Sequence, residues 1–393
     1  MIQPKVWSSA VIGIFLAIGA WISAGTWQTK AQSPGGFGKS AGPQTKNPGA
    51  WPYADSYDEV VAAGEVVAAG EVYHVRYEDQ HIRLVEVGVF PGVHTSMRGD
   101  PYASVIAIDS PAPKLENVVL DPNSKLNGQG SEQAPPPQGL QYPIGRTEAP
   151  RAPHAVTNSD TFPLHYFKIE FKRIDGDDYP THWKTWYPWM LDPLKAVANI
   201  DPKDPALGAP VSDVYPFAPA TESYISAPNN HYVRYQDDHI VFLEVCFRPG
   251  ERENVHGHAY PSVFARDIGG SPKVSGPTPA PTTPPIQVTE NLPGLGHAGA
   301  GGDWKIDPNG INGQGGGNCA APAGMKWPSC ATMGPQWPHA ASDTNAYPTH
   351  FYRIQFKRID GDGIKTHWRE WYPWMANLAV QYKNKADVAH PGN

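Results

Sequence analysis

Cysteine is scarce: three residues in 393, too few for a disulfide-knotted scaffold or a four-cysteine zinc or iron–sulfur site. Charge is thin as well. Asp, Glu, Lys and Arg make up 18% of the chain, against a usual ~25%. The net charge of −7 comes with no run of Lys or Arg. An acidic chain of this kind lacks the phosphate-neutralising surface on which nucleic-acid affinity rests, so nucleic acid is not an expected partner. No long apolar run follows the N-terminal one, and no later segment is able to span a bilayer. A sustained 3.6-residue apolar period is also missing, apart from short aromatic tails. What the chain has instead is 39 Gly and 43 Pro, about a fifth of its residues, against a usual ~12%. It also has 13 Trp, 18 Tyr and 12 Phe, apolar mass enough for two cores, which excludes wholesale disorder. The balance favours a loop-rich β protein, and the length suggests two domains or one large one at ~100–200 residues per domain.

Residues 1–31 read as a signal peptide. Lys5 supplies a short positive region, residues 11–24 an apolar one, and Thr29-Lys30-Ala31 the small residues of a cleavage site, with Ala24 as a second candidate. The rival reading is an uncleaved anchor over residues 7–25. Gly, Ser and Ala dilute that run, and a Gly/Pro/Ser stretch follows it, so cleavage is favoured. The expected location is therefore exported, periplasmic or secreted, with no membrane association after cleavage.

A long internal repeat organises the rest. Residues 74–82 (HVRYEDQHI) return at 232–240 (YVRYQDDHI), and 165–177 (HYFKIEFKRIDGD) return at 350–362 (HFYRIQFKRIDGD). Each copy continues through Thr-His-Trp to Trp-Tyr-Pro-Trp-Met. The offset grows from 158 to 185 residues, so the second copy carries extra chain, mostly Pro/Gly-rich, around residues 271–302. A repeat of this length is a duplicated domain rather than a solenoid unit. Alternating apolar positions such as Val241, Leu243, Val245 and Phe247, closed by Pro249-Gly250, read as strands. The expected organisation is a linker over 32–70, a first domain over 71–194, a Pro-rich linker over 195–228, a second domain over 229–380 and a tail over 381–393.

The chemistry concentrates after the Pro249-Gly250 turn. His256 and His258 stand two apart on a strand, which places both side chains on one face, as a shared metal requires. Gly250, His256, His258 and Gly269 fall in the register of the first motif of the cupin superfamily, with Ser262 at its glutamate position. Pro338-His339 fits the place of the second motif's histidine, with Asp343 where an Asn is expected. In the first copy His154 and Asn158 occupy the corresponding places. This segment resembles a cupin, and the resemblance implies two tandem jelly-roll β-barrels with long Pro/Gly-rich loops, an all-β fold. It also implies one divalent transition-metal ion (Fe, Mn, Zn, Cu or Ni) on His256, His258 and His339, with Ser262, Tyr260 and Glu244 as further candidates around it. Aligning the copies puts Arg98 opposite His256 and Asp100 opposite His258. The first copy therefore reads as a degenerate site with Arg98, Asp100 and His154 as counterparts, and an Arg98–Asp100 ion pair as its filling.

Residues kept in both copies, including His165, His350, His182, His367 and the aromatic tails, read as architecture, the histidines at barrel rims. Cys319 and Cys330 lie in a loop read as peculiar to the second copy. Export makes a disulfide between them the favoured reading, and Cys246 is then a buried free thiol. The functional expectation is a metal-dependent oxidoreductase or lyase acting on a small organic molecule. The alternative is a non-catalytic ligand-binding or structural protein. A homodimer, and barrel pairing within or between chains, both stay open.

Overall fold

The structure is a computed structural model. It describes residues 52–53, 73–124, 126, 131–191, 222–251, 253, 256–269, 316–339, 343 and 345–377. The signal-peptide reading, the 32–70 linker apart from residues 52–53, and the 381–393 tail lie outside the described residues. No helix among those residues is long and apolar enough to cross a membrane.

The first half contains strands β1 (Tyr73–Glu78), β2 (Ile82–Val89), β3 (Arg98–Asp100), β4 (Ser104–Ile108), β5 (Leu115–Val119), β6 (Gln133–Ala134), β7 (Ile144–Glu148), β8 (Arg151–Asn158) and β9 (Leu164–Phe171), followed by helix α1 (Tyr179–Trp186). In the second, α2 (Ser223–Ser226) leads into β10 (His231–Gln236), β11 (Ile240–Phe247), β12 (His256–His258), β13 (Ser262–Arg266), β14 (Asn318–Cys319), β15 (Ser329–Met333), β16 (Gln336–His339), β17 (Thr349–Phe356) and helix α3 (Ile364–Trp371). The stretch 195–228, read as a linker, thus ends in a short helix that leads into the second barrel.

Each half is a jelly-roll β-barrel of antiparallel strands. Its large sheet runs β1-β2-β9-β4-β7-β6 in the first and β10-β11-β17-β13-β15-β14 in the second, the same order. A smaller sheet faces it, β3-β8-β5 in the first half and β12-β16 in the second. The turns after β2 and β11 use Gly92 (φ 79°) and Gly250 (φ 72°), left-handed conformations that a side chain would strain.

Alternation along the strands divides each large sheet into two faces. On β11, Val241, Leu243, Val245 and Phe247 pack inward with Phe264, Ala331 and Phe351. Ile240 and Phe242 face the other way, onto Ile82, Leu84, Phe167 and Ile169 of the first barrel. The two barrels therefore pair within one chain through the outer faces of their large sheets. The tails strengthen this pairing by exchange. Trp368, Tyr372 and Met375 of the second half cluster with Val87, Val89 and Phe90 of the first, while Tyr179, Trp183, Tyr187 and Met190 of the first half cluster with Cys246 and Ile268 of the second. Gly88 is glycine for this reason: a Cβ there would lie 2.4 Å from the Trp374 ring.

Two expectations change here. His165 and His350 are not at barrel rims but buried in the seam between barrels, 1% exposed each, because their positions on β9 and β17 point to the outer face. His182 and His367 are exposed and stack on Trp186 and Trp371. Cys319 and Cys330 do not sit in an extra loop. They face each other across the β14–β15 ladder, Cα atoms 4.9 Å apart, and form a disulfide. The matching strands β6 and β7 carry Ala134 and Gly145, and Gly145 lies against Cys330 across the seam. Cys246 is buried and free.

Candidate metal centre

The barrel interior of the second half collects histidine. Strand β12 carries His256 and His258, 1% and 2% exposed, and the start of β10 adds His231, 3% exposed. One ring nitrogen from each lies within 4.8 Å of the others. The Nε2 atoms of His256 and His258 are 3.2 Å apart. Two nitrogens each about 2.1 Å from a common ion lie roughly 3.0 Å apart at a right angle and roughly 3.4 Å apart at the tetrahedral angle, so this spacing suits a shared ion.

The far side of each ring supports the same orientation. His258 Nδ1–H donates to Gln355 Oε1 at 2.8 Å, which leaves its Nε2 lone pair facing the cluster. His231 Nδ1–H donates to the Ala227 carbonyl at 3.3 Å. Glu253 Oε2 lies 3.5 Å from His256 Nδ1 and 4.0 Å from His231 Nδ1. Outer partners of this kind fix the tautomer of metal-bound imidazoles. Three buried imidazoles, with the back nitrogens of His258 and His231 hydrogen-bonded, make a donor set that fits a divalent transition metal. Backbone register sets His339 opposite His256; its side chain lies outside the described residues.

The remaining candidates fall in different places. Ser262 is fully buried, and its Oγ accepts a hydrogen bond from Arg353 Nε at 3.0 Å. Tyr260 is half-buried; burial first and the Glu222 charge second raise its hydroxyl pKa. Glu244 is removed from the site by strand alternation. It faces the seam, where it pairs with Arg234 and accepts from His350 Nε2 at 2.8 Å. Asp343 acts as a turn cap, accepting the backbone N–H groups of Asn345 and Thr349.

Two carboxylates that the repeat does not reveal also reach the centre. Glu253 is one. Glu222 is the other, anchored by an isolated bridge to Gly257 and by the Ala259 N–H at 2.8 Å. Its Oε1 accepts from Gln355 Nε2 at 3.1 Å and lies 3.8 Å from His258 Nδ1. Desolvation raises its pKa. Glu222 escaped the sequence reading because it lies in the Pro-rich stretch before the repeat begins. His231 carried a signal: it stands where the first copy has Tyr73, the same contrast between copies that marks His256 against Arg98.

The first barrel sets ion pairs at the matching positions. Lys168 Nζ contacts Asp100 at 2.5 Å and Glu170 at 3.1 Å, and Arg83 binds Glu170 at 2.7 Å. Arg151 lies 4.0 Å from Asp100 and 3.9 Å from Glu148. The expected Arg98–Asp100 pair does not form among the described residues: Asp100 turns to Lys168 and Arg151, and Arg98 lies over the Tyr73 ring at 5.1 Å. His154 pairs with Arg98 in register and donates Nδ1–H to the Ala152 carbonyl at 3.0 Å. Desolvation lowers its pKa.

A second group that meets the geometric test for a metal, Asp109, His165, His239 and Asp360, lies in the seam. Most of its polar atoms are engaged with one another, while Asp109 Oδ1 has no hydrogen-bond partner and lies 3.7 Å from His165 Nδ1. His165 Nε2 meets Glu86 at 3.0 Å, His239 Nε2 meets Asp109 at 2.7 Å, and the Tyr372 hydroxyl bonds Asp360. A network of this kind locks the barrels together.

No family model and no curated protein matches the chain. Among solved structures, it is similar to a cupin domain from Bordetella pertussis Tohama I, at 16% identity over 26% of this chain and 93% of that one, TM-score 0.17. It is also similar to salicylate 1,2-dioxygenase from Pseudaminobacter salicylatoxidans, at 10% identity over 75% of this chain and 80% of that one, TM-score 0.20. A third is Bacillus subtilis oxalate decarboxylase, studied for its Mn(II) centres, at 11% identity over 71% of this chain and 69% of that one, TM-score 0.18. The fold assignment rests on the strand order of this chain itself.

Proposed function

We propose that this chain is an exported bicupin whose second barrel holds one divalent transition-metal ion and acts on a small organic molecule, with the first barrel as a metal-free partner. The observation that carries the reading is the convergence of His231, His256 and His258, with the back nitrogens of His258 and His231 engaged. His339 is proposed as a further ligand from its register opposite His256. A bound ion supplies Lewis acidity toward a substrate oxygen or, if redox-active, dioxygen chemistry. The chain's own part is positional. Gln355 and Glu253 hold the rings of His258 and His256 in place, and the apolar wall of Val241, Leu243 and Phe264 restricts water. Arg353 and Glu222 place one fixed cation and one carboxylate beside the histidines. The N-terminal apolar stretch and the Cys319–Cys330 disulfide both support an oxidising, exported setting. Mass analysis of the mature protein should show a start near residue 25 or 32; an intact Met1 on membranes would replace export with anchoring.

The test is a Co(II) titration of metal-free protein followed by visible absorption. The expected result is saturation at one equivalent, with ligand-field bands that vanish in His256→Ala/His258→Ala and weaken in His231→Ala. Oxygen uptake or product formation with small organic substrates should require the loaded site. Absent bands, or bands untouched by the double change, would remove the metal reading. Ligand binding that persists without metal would favour a non-catalytic binding protein.

A further inference from the structure

Arg98 is 2% exposed, yet its Nε, Nη1 and Nη2 atoms have no hydrogen-bond partner and no ion-pair partner among the described residues. A buried guanidinium left uncompensated is strongly destabilising. The charge arithmetic around it is uneven. Arg83, Lys168 and Arg151 are matched by Glu170, Asp100 and Glu148, and Arg146 reaches Glu148 from the surface. Arg98 is the cation left over. The guanidinium carbon sits over the Tyr73 ring at 5.1 Å, and all three of its nitrogens are left for an acceptor.

We infer that the first barrel is an anion site, with Arg98 binding the carboxylate of a small monoanionic organic acid at the place where the second barrel has its histidines. The unpartnered Arg98 guanidinium calls for one negative charge, and its planar fork matches a carboxylate through two parallel N–H···O bonds. A phosphate dianion would overshoot the charge, and chloride would use only part of the fork. The inference does not depend on metal binding in the second barrel.

The test uses the full chain carrying His256→Ala/His258→Ala, so that no carboxylate can report through a metal, with acetate as the probe in calorimetry and in thermal unfolding. One acetate per chain is expected, together with a rise in Tm. Arg98→Met should weaken binding at least about 30-fold, the loss expected when one partner of a buried charge pair is removed. Arg98→Lys, which keeps the charge and loses the fork, should give an intermediate loss and covers the case in which the Met variant does not fold. Acetate binding unchanged in Arg98→Met or Arg98→Lys would overturn the assignment of Arg98. Chloride or phosphate binding as tightly as acetate would overturn the carboxylate class.

Discussion

The first barrel places Tyr73, Arg98, Asp100, Lys168 and Glu170 where the second places His231, His256, His258, Arg353 and Gln355. The strand order around both sets is the same. In the first, fixed charges meet in direct ion pairs and would repel or consume a cation. In the second, the aspartate and glutamate of the first set are His258 and Gln355, and three imidazoles face one another instead. The difference between the two interiors thus lies in what meets at the centre: direct ion pairs in the first, and histidines with carboxylates behind them in the second. Residues kept in both halves, His165 and His350 or Trp183 and Trp368 among them, by contrast serve the seam and the exchanged tails.

The largest expected effect bears on that shared architecture. Trp368 is 1% exposed and Trp183 8%, each buried against the opposite barrel. Trp368→Ala should cost about 3–5 kcal/mol, with Trp183→Ala nearer the low end, measured by denaturant unfolding. An effect confined to one barrel's unfolding would show that the exchange does not couple them. Within the first barrel, Lys168→Met should cost about 3–5 kcal/mol, because it removes the nearest cation of buried Asp100 and one of the two that face Glu170. In anion-free buffer Arg98→Met should be neutral or stabilising, because it removes a charge that lacks a partner. Equal losses in the two variants would mean that Arg98 is paired after all. Cys319→Ser/Cys330→Ser opens an 11-residue separation and should cost about 3 kcal/mol in the chain-entropy account, read from Tm under non-reducing conditions.

The smallest effect is a pH trend set by the seam. Burial disfavours charged His165, but the Asp109 and Glu86 carboxylates outweigh it and raise its pKa from 6.5 to about 9. Its contribution is therefore complete below pH 6.5 and is lost as pH rises through about 9. Glu86 is desolvated too, yet His165 and Arg76 lower its pKa from 4.5 to about 2. Its contribution is complete above pH 4.5 and is lost toward about 2. Asp267, another carboxylate at the seam, moves the other way. Burial and then Asp175 raise it from 3.8 to about 7, so its share is present below pH 3.8 and gone above about 7. Stability measured against pH should therefore decline from about 6.5 to 9 on the alkaline side. In His165→Gln that decline should shrink; an unchanged slope would remove His165 as its source.

Much of the fold was legible because the repeat aligned strand with strand and the two-residue alternation marked the faces. The same alternation explains why Glu244 was misread: one position along a strand separates barrel interior from seam, and sequence alone does not say which face is which. The pair His256 and His258 was legible from spacing. His231 was legible only by comparing the copies, through Tyr73. Glu222 was hidden by its distance along the chain, and so was the partnership of Asp100 with Lys168, since ion pairs form across the sheet and not along it. The disulfide strands β14 and β15 looked like extra loop because the inserted residues before them broke the alignment with β6 and β7.

Metal analysis of the purified full-length protein decides between the two barrel interiors. The account predicts about one ion per chain, lost in His256→Ala/His258→Ala and retained in His154→Ala and in Arg98→Met. Because histidine binds metal only when neutral, occupancy should also fall on acidification. Two ions per chain, or full metal content after the double change in the second barrel, would contradict it.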